Sequence, residues 1–386
     1  MISETVRFLL LCATVASIVY FGVCVFVARR FFSDPGPDLE PGHRPPVSVM
    51  IPLCGADFRG YDCYAAFCRQ DYPTFQIVFG VRDSMDSSIA LVEKLRADFP
   101  EVDIELVVND RSIGVNPKVD NLYNMAERAR YDLLVLVDSD IRVGSDYLSR
   151  IAAEFSDEEV GMVTCLYRAG AAPTLSAKIE AIGISSEFAP GVLIANRFGG
   201  IRFAFGATIA VTRERLRSIG GLEAVADYLA DDYMLGNLMR QSGRRVALSS
   251  CVVETMLHPM AFKPMLKHQV RWARGIRACQ PLGHTGSVLT HGTALALLHL
   301  FASGFSAGGV FLLAATAAAR MAMGWVVAVR CLGDGIARRN LLLMPVRDLF
   351  SFVVWCMSLA GKKVEWRGKV FVIIEGGKMK PAPPGP

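Results

Sequence analysis

From Phe8 to Ala28 the chain runs 21 residues without a charged side chain. At ~1.5 Å per residue, a helix of that length reaches roughly 32 Å, enough to cross the hydrocarbon core of a bilayer. The run is longer than the apolar part of a signal peptide, and no small-residue cleavage site comes after it, so an anchor over residues 1–30 is expected. Glu4 precedes the run while Arg29 and Arg30 close it. That bias places the residues after Arg30 on the cytoplasmic side.

A second apolar block spans Val288 to Val329, long enough for two spans joined near Ser306–Gly309, with Arg320 either inside a bundle or snorkelling. A third stretch, Leu341 to Ala360, contains Arg347 and Asp348. That pair is costly in hydrocarbon unless the two face each other or a cavity, which favours an interfacial or re-entrant segment. Arg338, Arg339, Lys362, Lys363 and Arg367 are basic loop residues expected on the cytoplasmic side, which suits one anchor plus two later spans. The chain is 52% hydrophobic before glycine is counted, against ~45–50% with glycine included for a soluble domain. The excess lies in these terminal blocks.

The remainder divides by composition. Residues 31–46 carry Pro35, Pro37, Pro41, Pro45 and Pro46 and read as a tether. Residues 47–260 have the texture of a cytosolic domain. Residues 261–285 form a basic amphipathic stretch at the interface, 286–361 the second membrane block, and 362–386 a cytosolic tail expected to be disordered after Gly376, where Pro381, Pro383, Pro384 and Pro386 stand. Ten cysteines are scattered with no C-x-x-C pair, which disfavours a zinc site or disulfide framework. A net charge of +4 is too small to argue for nucleic acid.

Within 47–260, unbroken apolar runs at Val47–Leu53, Gln76–Val81, Ile104–Val108 and Leu133–Val137 alternate with helix-like stretches at Tyr61–Gln70, Ser88–Phe99 and Val119–Arg130. Such alternation predicts an α/β fold, with parallel strands joined by right-handed crossovers in one sheet. Ligands of such sheets bind beyond the carboxyl ends of the strands. Two strands end in acids, at Asp83 and at Asp138-Ser139-Asp140. Leu53-Cys54-Gly55-Ala56-Asp57 after the first strand lacks a dinucleotide fingerprint, and no P-loop occurs.

Asp138 and Asp140 at a strand end suit a divalent cation, Mn²⁺ or Mg²⁺, with phosphate oxygens completing its shell; the same tripeptide reads as a solvated turn. Asp231-Asp232, following a helical stretch over Gly221–Leu229, reads as a helix cap or as a general base. His268-Gln269-Val270-Arg271-Trp272 reads as an interfacial helix with its Trp in the aromatic belt, or as a diphosphate contact through Arg271. Phe203–Thr208 reads as an acceptor lining in which Gly206 allows close approach, or as a buried strand.

Taken in order, Asp83, Asp138-Ser139-Asp140, Asp232 and Arg271-Trp272 before C-terminal spans resemble the pattern of membrane-bound glycosyltransferases with a GT-A (Rossmann-like) fold. Pro52-Leu53-Cys54-Gly55, Gln70-Asp71-Tyr72-Pro73, Asn116-Pro117-Lys118-Val119-Asp120-Asn121-Leu122, Asp138–Val143 and Ala230–Tyr233 narrow this to the ceramide glucosyltransferase family. Cys165–Arg168 and Arg271–Arg277 look closest to its bacterial hopanoid glycosyltransferase branch. The resemblance implies that Asp83 holds uridine and that Lys118 lies near the diphosphate. It further implies that Asp138 and Asp140 bind nucleotide and the divalent cation, Asp232 is the base, and Arg271 with Trp272 closes the site. The family's Gln or Arg at the first position of the last motif is His268 here.

The implied activity is an inverting transfer from a UDP-sugar, best UDP-N-acetylglucosamine, to a hydroxyl of a membrane lipid, best a hopanoid polyol. UDP-glucose with ceramide is the alternative. A processive polysaccharide synthase is disfavoured by the few spans. A membrane-tethered nucleotide-binding protein without catalysis is the reading from another class. The bilayer itself is the expected partner, and the protein a multi-pass one of a bacterial inner membrane with its catalytic domain in the cytoplasm.

Overall fold

A computed structural model describes residues 3–34, 36–37, 44–366 and 369–382; Pro35, Pro41, Arg367, Pro383, Pro384 and Pro386 lie outside them. The first four apolar runs form β1 (Val47–Pro52), β2 (Phe75–Val81), β3 (Asp103–Val108) and β4 (Leu133–Leu136), paired in parallel in the order β3-β2-β1-β4. All of β1 is buried, which explains its lack of polar alternation. Its one polar side chain, Ser48, donates to Gln76 Oε1 at 2.9 Å, and Gln76 donates on to the Arg128 carbonyl. Helices Gly60–Cys68, Ile89–Asp98 and Pro117–Ala126 make the crossovers where helical spacing predicted them.

Beyond β4 the sheet is mixed rather than parallel throughout. The strands are β5 (Ile141–Arg142), β6 (Val160–Ala171), β7 (Ile209–Thr212) and β8 (Arg245–Met256). β7 pairs antiparallel with both β4 and β6, β6 runs parallel to β8, and β5 closes the edge antiparallel to β8. Pairing of Ile141 with Thr255 brings the end of β8 against the residues just after β4.

Among the described residues three helices are long and apolar enough to cross a membrane: Glu4–Ser33, Ala307–Cys331 and Leu341–Ser358. The block expected to hold two spans instead holds the 11-residue helix Gly292–Ala302, shorter than the ~20 residues a crossing needs, and then the 25-residue helix Ala307–Cys331. The first long helix packs against both and against Ala189–Gly199.

The charges in these helices pair across the bundle. Arg320 is 2% exposed and its Nη2 lies 2.8 Å from Asp348 Oδ1. Arg347 and Asp348 do not face each other: Arg347 turns to Glu187 at 2.8 Å. Arg320 therefore sits inside the bundle, not snorkelling. The tail is ordered as far as Pro381, in a second sheet of β9 (Lys363–Trp366), β10 (Lys369–Ile373) and β11 (Met379–Pro381). Val364, Phe371, Ile373 and Met379 give that sheet an apolar core that also covers Val115 and Leu229; the pairing of Met379–Pro381 with β10 corrects the expected disorder there, while residues 383–386 lie outside the described ones.

Candidate active site

Asp138 leaves the end of β4 with its amide bonded to the Gly206 carbonyl at 2.9 Å. Two residues on, Asp140 Oδ2 accepts from Thr255 Oγ1 at 2.7 Å, and its carbonyl accepts from the Met256 amide at 2.8 Å. Burial, reinforced by the Asp138 charge, pushes the Asp140 carboxyl up to about 6 against the Thr255 hydrogen bond. Between the two acids, Ser139 hydrogen-bonds Asp57, whose Oδ1 lies 3.1 Å from His258 Nε2. The hydrogen bond to Asp57 raises the His258 pKa above the usual histidine value.

Lys118 enters from the helix Pro117–Ala126. Asn116 caps that helix, accepting from the Lys118 and Val119 amides, while Pro117 occupies the first turn. Lys118 Nζ lies 2.6 Å from Asp138 Oδ1 and 3.6 Å from Asp231 Oδ2. Burial works against the charge, yet Asp138, Asp231 and Asp232 outweigh it and hold the ammonium above the ordinary lysine value.

Asp231 and Asp232 begin a helix, Asp231–Gln241, rather than following one; Gly221–Leu229 contains only a short turn at Leu222–Val225. Negative charge suits a helix N-terminus. Asp231 Oδ1 accepts from Asn116 Nδ2 at 3.2 Å. Asp232 Oδ2 accepts from the Gly206 amide at 3.0 Å and its Oδ1 from the Tyr233 amide at 2.7 Å. Burial and then Asp231 push the Asp232 carboxyl up to about 6, with Lys118 opposing.

Gly206 is the junction of these groups. A Cβ there would stand 2.3 Å from Asp138 Oδ2 and 2.9 Å from Lys118 Nζ. The segment Phe203–Thr208 is thus a loop against the acids, and the strand begins at Ile209.

Asp83 stands apart, exposed beyond β2 two strands from β4, with Oδ1 accepting from the Met85 amide at 2.9 Å. Arg271 and Trp272 lie on the helix Phe262–Cys279, and Gln280 at its end donates to the Tyr233 hydroxyl at 2.7 Å. Trp272 packs edge-on to His268, ring centroids 4.3 Å apart. His268 Nδ1 is 3.4 Å from Glu180 Oε1. Burial and the nearby Arg271 push His268 down to about 3, so this contact joins a neutral imidazole to a carboxyl group and is not an ion pair. Arg274 and Arg277 donate to the carbonyls of Ala360, Lys363 and Gly361, tying the helix to the C-terminal sheet.

The structure therefore brings Lys118, Asp138, Asp140 and Asp232 together, leaves Asp83 apart beyond β2, and joins the Arg271–Trp272 helix to the residue after Asp232 through Gln280 and Tyr233. Asn116, Gly206, Thr255, Asp57 and His258 complete the arrangement. Of these, Asn116 carries a local signal, an Asn-Pro helix start, and the helix expected from Val119 begins at Pro117. Among the described residues no group of three or more His, Cys, Asp or Glu could hold a metal. Two neighbouring carboxylates, one with a raised pKa, still fit a hard divalent cation that takes its other ligands from phosphate and water.

The mixed α/β sheet, with paired acids beyond its strand ends, has a GT-A-like fold. The chain belongs to Glycosyl transferase family 21, which matches residues 9–379. The fold is similar to that of the mannosyltransferase PcManGT from Pyrobaculum calidifontis in complex with GDP-Man and Mn²⁺. That likeness has a TM-score of 0.53 at 19% identity, over 90% of this chain and 97% of that one.

Among curated proteins, the chain is 28% identical to ceramide glucosyltransferase 1 of Caenorhabditis elegans over 56% of its own length and 46% of that protein's. It thus spans about half of that relative. It is 24% identical to ceramide glucosyltransferase 3 of the same organism over 89% of this chain and 76% of that protein. An N-acetylglucosaminyltransferase of Rhizobium leguminosarum bv. viciae is 24% identical over 67% of this chain and 62% of that protein.

Proposed function

We propose that the protein transfers a hexose from a UDP-sugar to a hydroxyl group of a membrane lipid in one displacement, inverting the anomeric centre. One observation carries the reading: Asp232 faces Lys118 and the Asp138–Asp140 pair across Gly206, with its carboxyl pushed up to about 6. A carboxylate poised near neutrality is suited to take the proton of an attacking hydroxyl. Lys118 and Arg271 act electrostatically on the diphosphate as it departs. Asp83 holds the uridine and Trp272 borders the acceptor. A divalent cation held by Asp138 and Asp140 would supply further charge neutralisation at the leaving group.

The lipid acceptor is supported by the three long apolar helices, two of which come after the Arg271–Trp272 helix in the chain. In this reading the protein is multi-pass and residues 47–260 form a cytoplasmic catalytic domain, with Arg29 and Arg30 at the inner surface. Within the family the favoured substrates are UDP-N-acetylglucosamine and a hopanoid polyol, supported by the wording of Cys165–Arg168 and Arg271–Arg277 and by the name of the Rhizobium relative. UDP-glucose with ceramide is the second reading, supported by the names of the nematode relatives. Incubation of the full chain with a panel of UDP-sugars and defined lipids, read by mass spectrometry, tests the proposal. A hexosyl-lipid is expected; UDP-sugar binding with no lipid product under any pairing contradicts it.

A further inference from the structure

The helix Leu175–Gly183 carries Glu180, which is 1% exposed. Its Oε1 receives the Gln269 side-chain amide at 3.2 Å and lies beside His268. Its Oε2 is buried and receives no hydrogen bond among the described residues. A carboxylate oxygen removed from water without a donor is costly, and native folds retain such groups where something else supplies the donor.

The surroundings point to the source of that donor. Gln269 and His268 belong to the helix of Arg271 and Trp272. Among charges Glu180 feels Arg347 first and then Asp140 and Arg271, so it lies within electrostatic reach of both that helix and the paired acids. Ile179 of its helix shares a cluster with Met265 and Val270 of the Arg271 helix and with Phe350 and Val354 of the long apolar helix Leu341–Ser358. The chain then enters a π-helical turn, Ile184–Phe188, a geometry frequent at functional sites.

Phe188 packs on Phe205 at 4.8 Å, Phe205 on Phe203 at 5.5 Å, and Phe203 stacks at 6.1 Å on Tyr233, the residue after Asp232. An apolar layer thus runs from the base to the segment bearing Glu180. The diphosphate group of the donor substrate is an anion that only accepts hydrogen bonds, so that group does not satisfy a carboxylate. A hydroxyl does.

Resting on the lipid-acceptor reading above, we infer that Glu180 is an acceptor-recognition residue whose Oε2 accepts a hydrogen bond from a second hydroxyl of the lipid headgroup, beside the one that is glycosylated. Asp232 serves the attacking hydroxyl, so Glu180 serves a neighbour. The site then takes headgroups with two or more hydroxyls in preference to simple alcohols, because a site built to bond a hydroxyl discriminates strongly against an analogue that lacks it.

The test compares polyol lipids, a hopanetetrol and a short-chain ceramide, with analogues that keep a single primary hydroxyl, using the full chain in detergent. The wild type is expected to favour a polyol by about 10-fold or more in kcat/KM. Glu180→Ala and Glu180→Gln are expected to lose that preference, the loss falling on the polyol, while UDP binding and the KM for UDP-sugar hold. Equal losses on both acceptor types, a raised KM for UDP-sugar, or loss of UDP binding in both variants overturns the inference and leaves the lipid reading intact. A wild type that transfers to no lipid sinks the lipid reading and takes the inference with it.

Discussion

Lys118 Nζ lies 2.6 Å from Asp138 Oδ1 and bridges toward Asp231 Oδ2 at 3.6 Å, a single ammonium set among the acids of the site. Its removal takes that compensating charge from Asp138, Asp231 and Asp232, and Lys118 is the group that opposes the raised pKa of Asp232. Lys118→Met is therefore expected to lower kcat/KM on the order of 10²-fold and to move the acidic limb of the pH profile to higher pH. Steady-state rates across pH check both; an unchanged limb separates Lys118 from Asp232.

Asp140 and Asp232 are both pushed up to about 6 by burial and neighbouring acids. Each is needed ionised, one to hold a cation and one to accept a proton, so activity falls as pH drops through about 6. Cation binding favours the ionised form of Asp140. At low Mn²⁺ the limb is expected to follow two protonations, and at saturating Mn²⁺ one. Profiles of kcat/KM at two Mn²⁺ concentrations read the change in slope; identical slopes detach Asp140 from the metal.

Gly206 admits no side chain without displacing Asp138 or Lys118. Gly206→Ala is expected to cost about 10-fold or more in turnover, since small misplacements of catalytic groups are expensive, while the melting temperature changes little. A variant with wild-type turnover shows that the cluster tolerates expansion.

Arg320 and Asp348 are 2% and 3% exposed and pair at 2.8 Å inside the helical bundle. Asp348→Leu strands a buried guanidinium and is expected to destabilise the protein by roughly 3–5 kcal/mol. Arg320→Met together with Asp348→Leu is expected to recover much of that loss. Thermal unfolding in detergent measures both. A double variant as unstable as the single one shows that the two residues matter through other contacts, such as Arg320 to Ser186 at 3.0 Å and Thr293 to Asp348 at 2.6 Å.

The legible part of this chain is the part written locally. Unbroken apolar runs gave β1 to β4, the charge-free run gave the first helix, and acids after apolar runs marked Asp83 and Asp138–Asp140. The features that escaped depend on distant partners. Arg347 and Asp348 look like a pair because they are adjacent, yet Arg347 meets Glu187 across 160 residues and Asp348 meets Arg320. The Asp57–His258 contact spans 201 residues. Gly221–Leu229 has helical composition but is covered by the C-terminal sheet, which bonds it through the Met379 amide to the Asp227 carbonyl at 2.8 Å. Proline content after Gly376 suggests disorder, whereas Met379–Pro381 pair with β10 and Met379 packs with Phe371 and Ile373.

The proposed chemistry turns on Asp232 taking the proton of the lipid hydroxyl. Asp232→Asn keeps the size of the side chain and its capacity to accept from the Gly206 amide. Transfer from a UDP-sugar to lipid by this variant, measured beside UDP binding, is expected to fall on the order of 10²-fold or more with binding unchanged; near-normal transfer would contradict a role for Asp232 as the base.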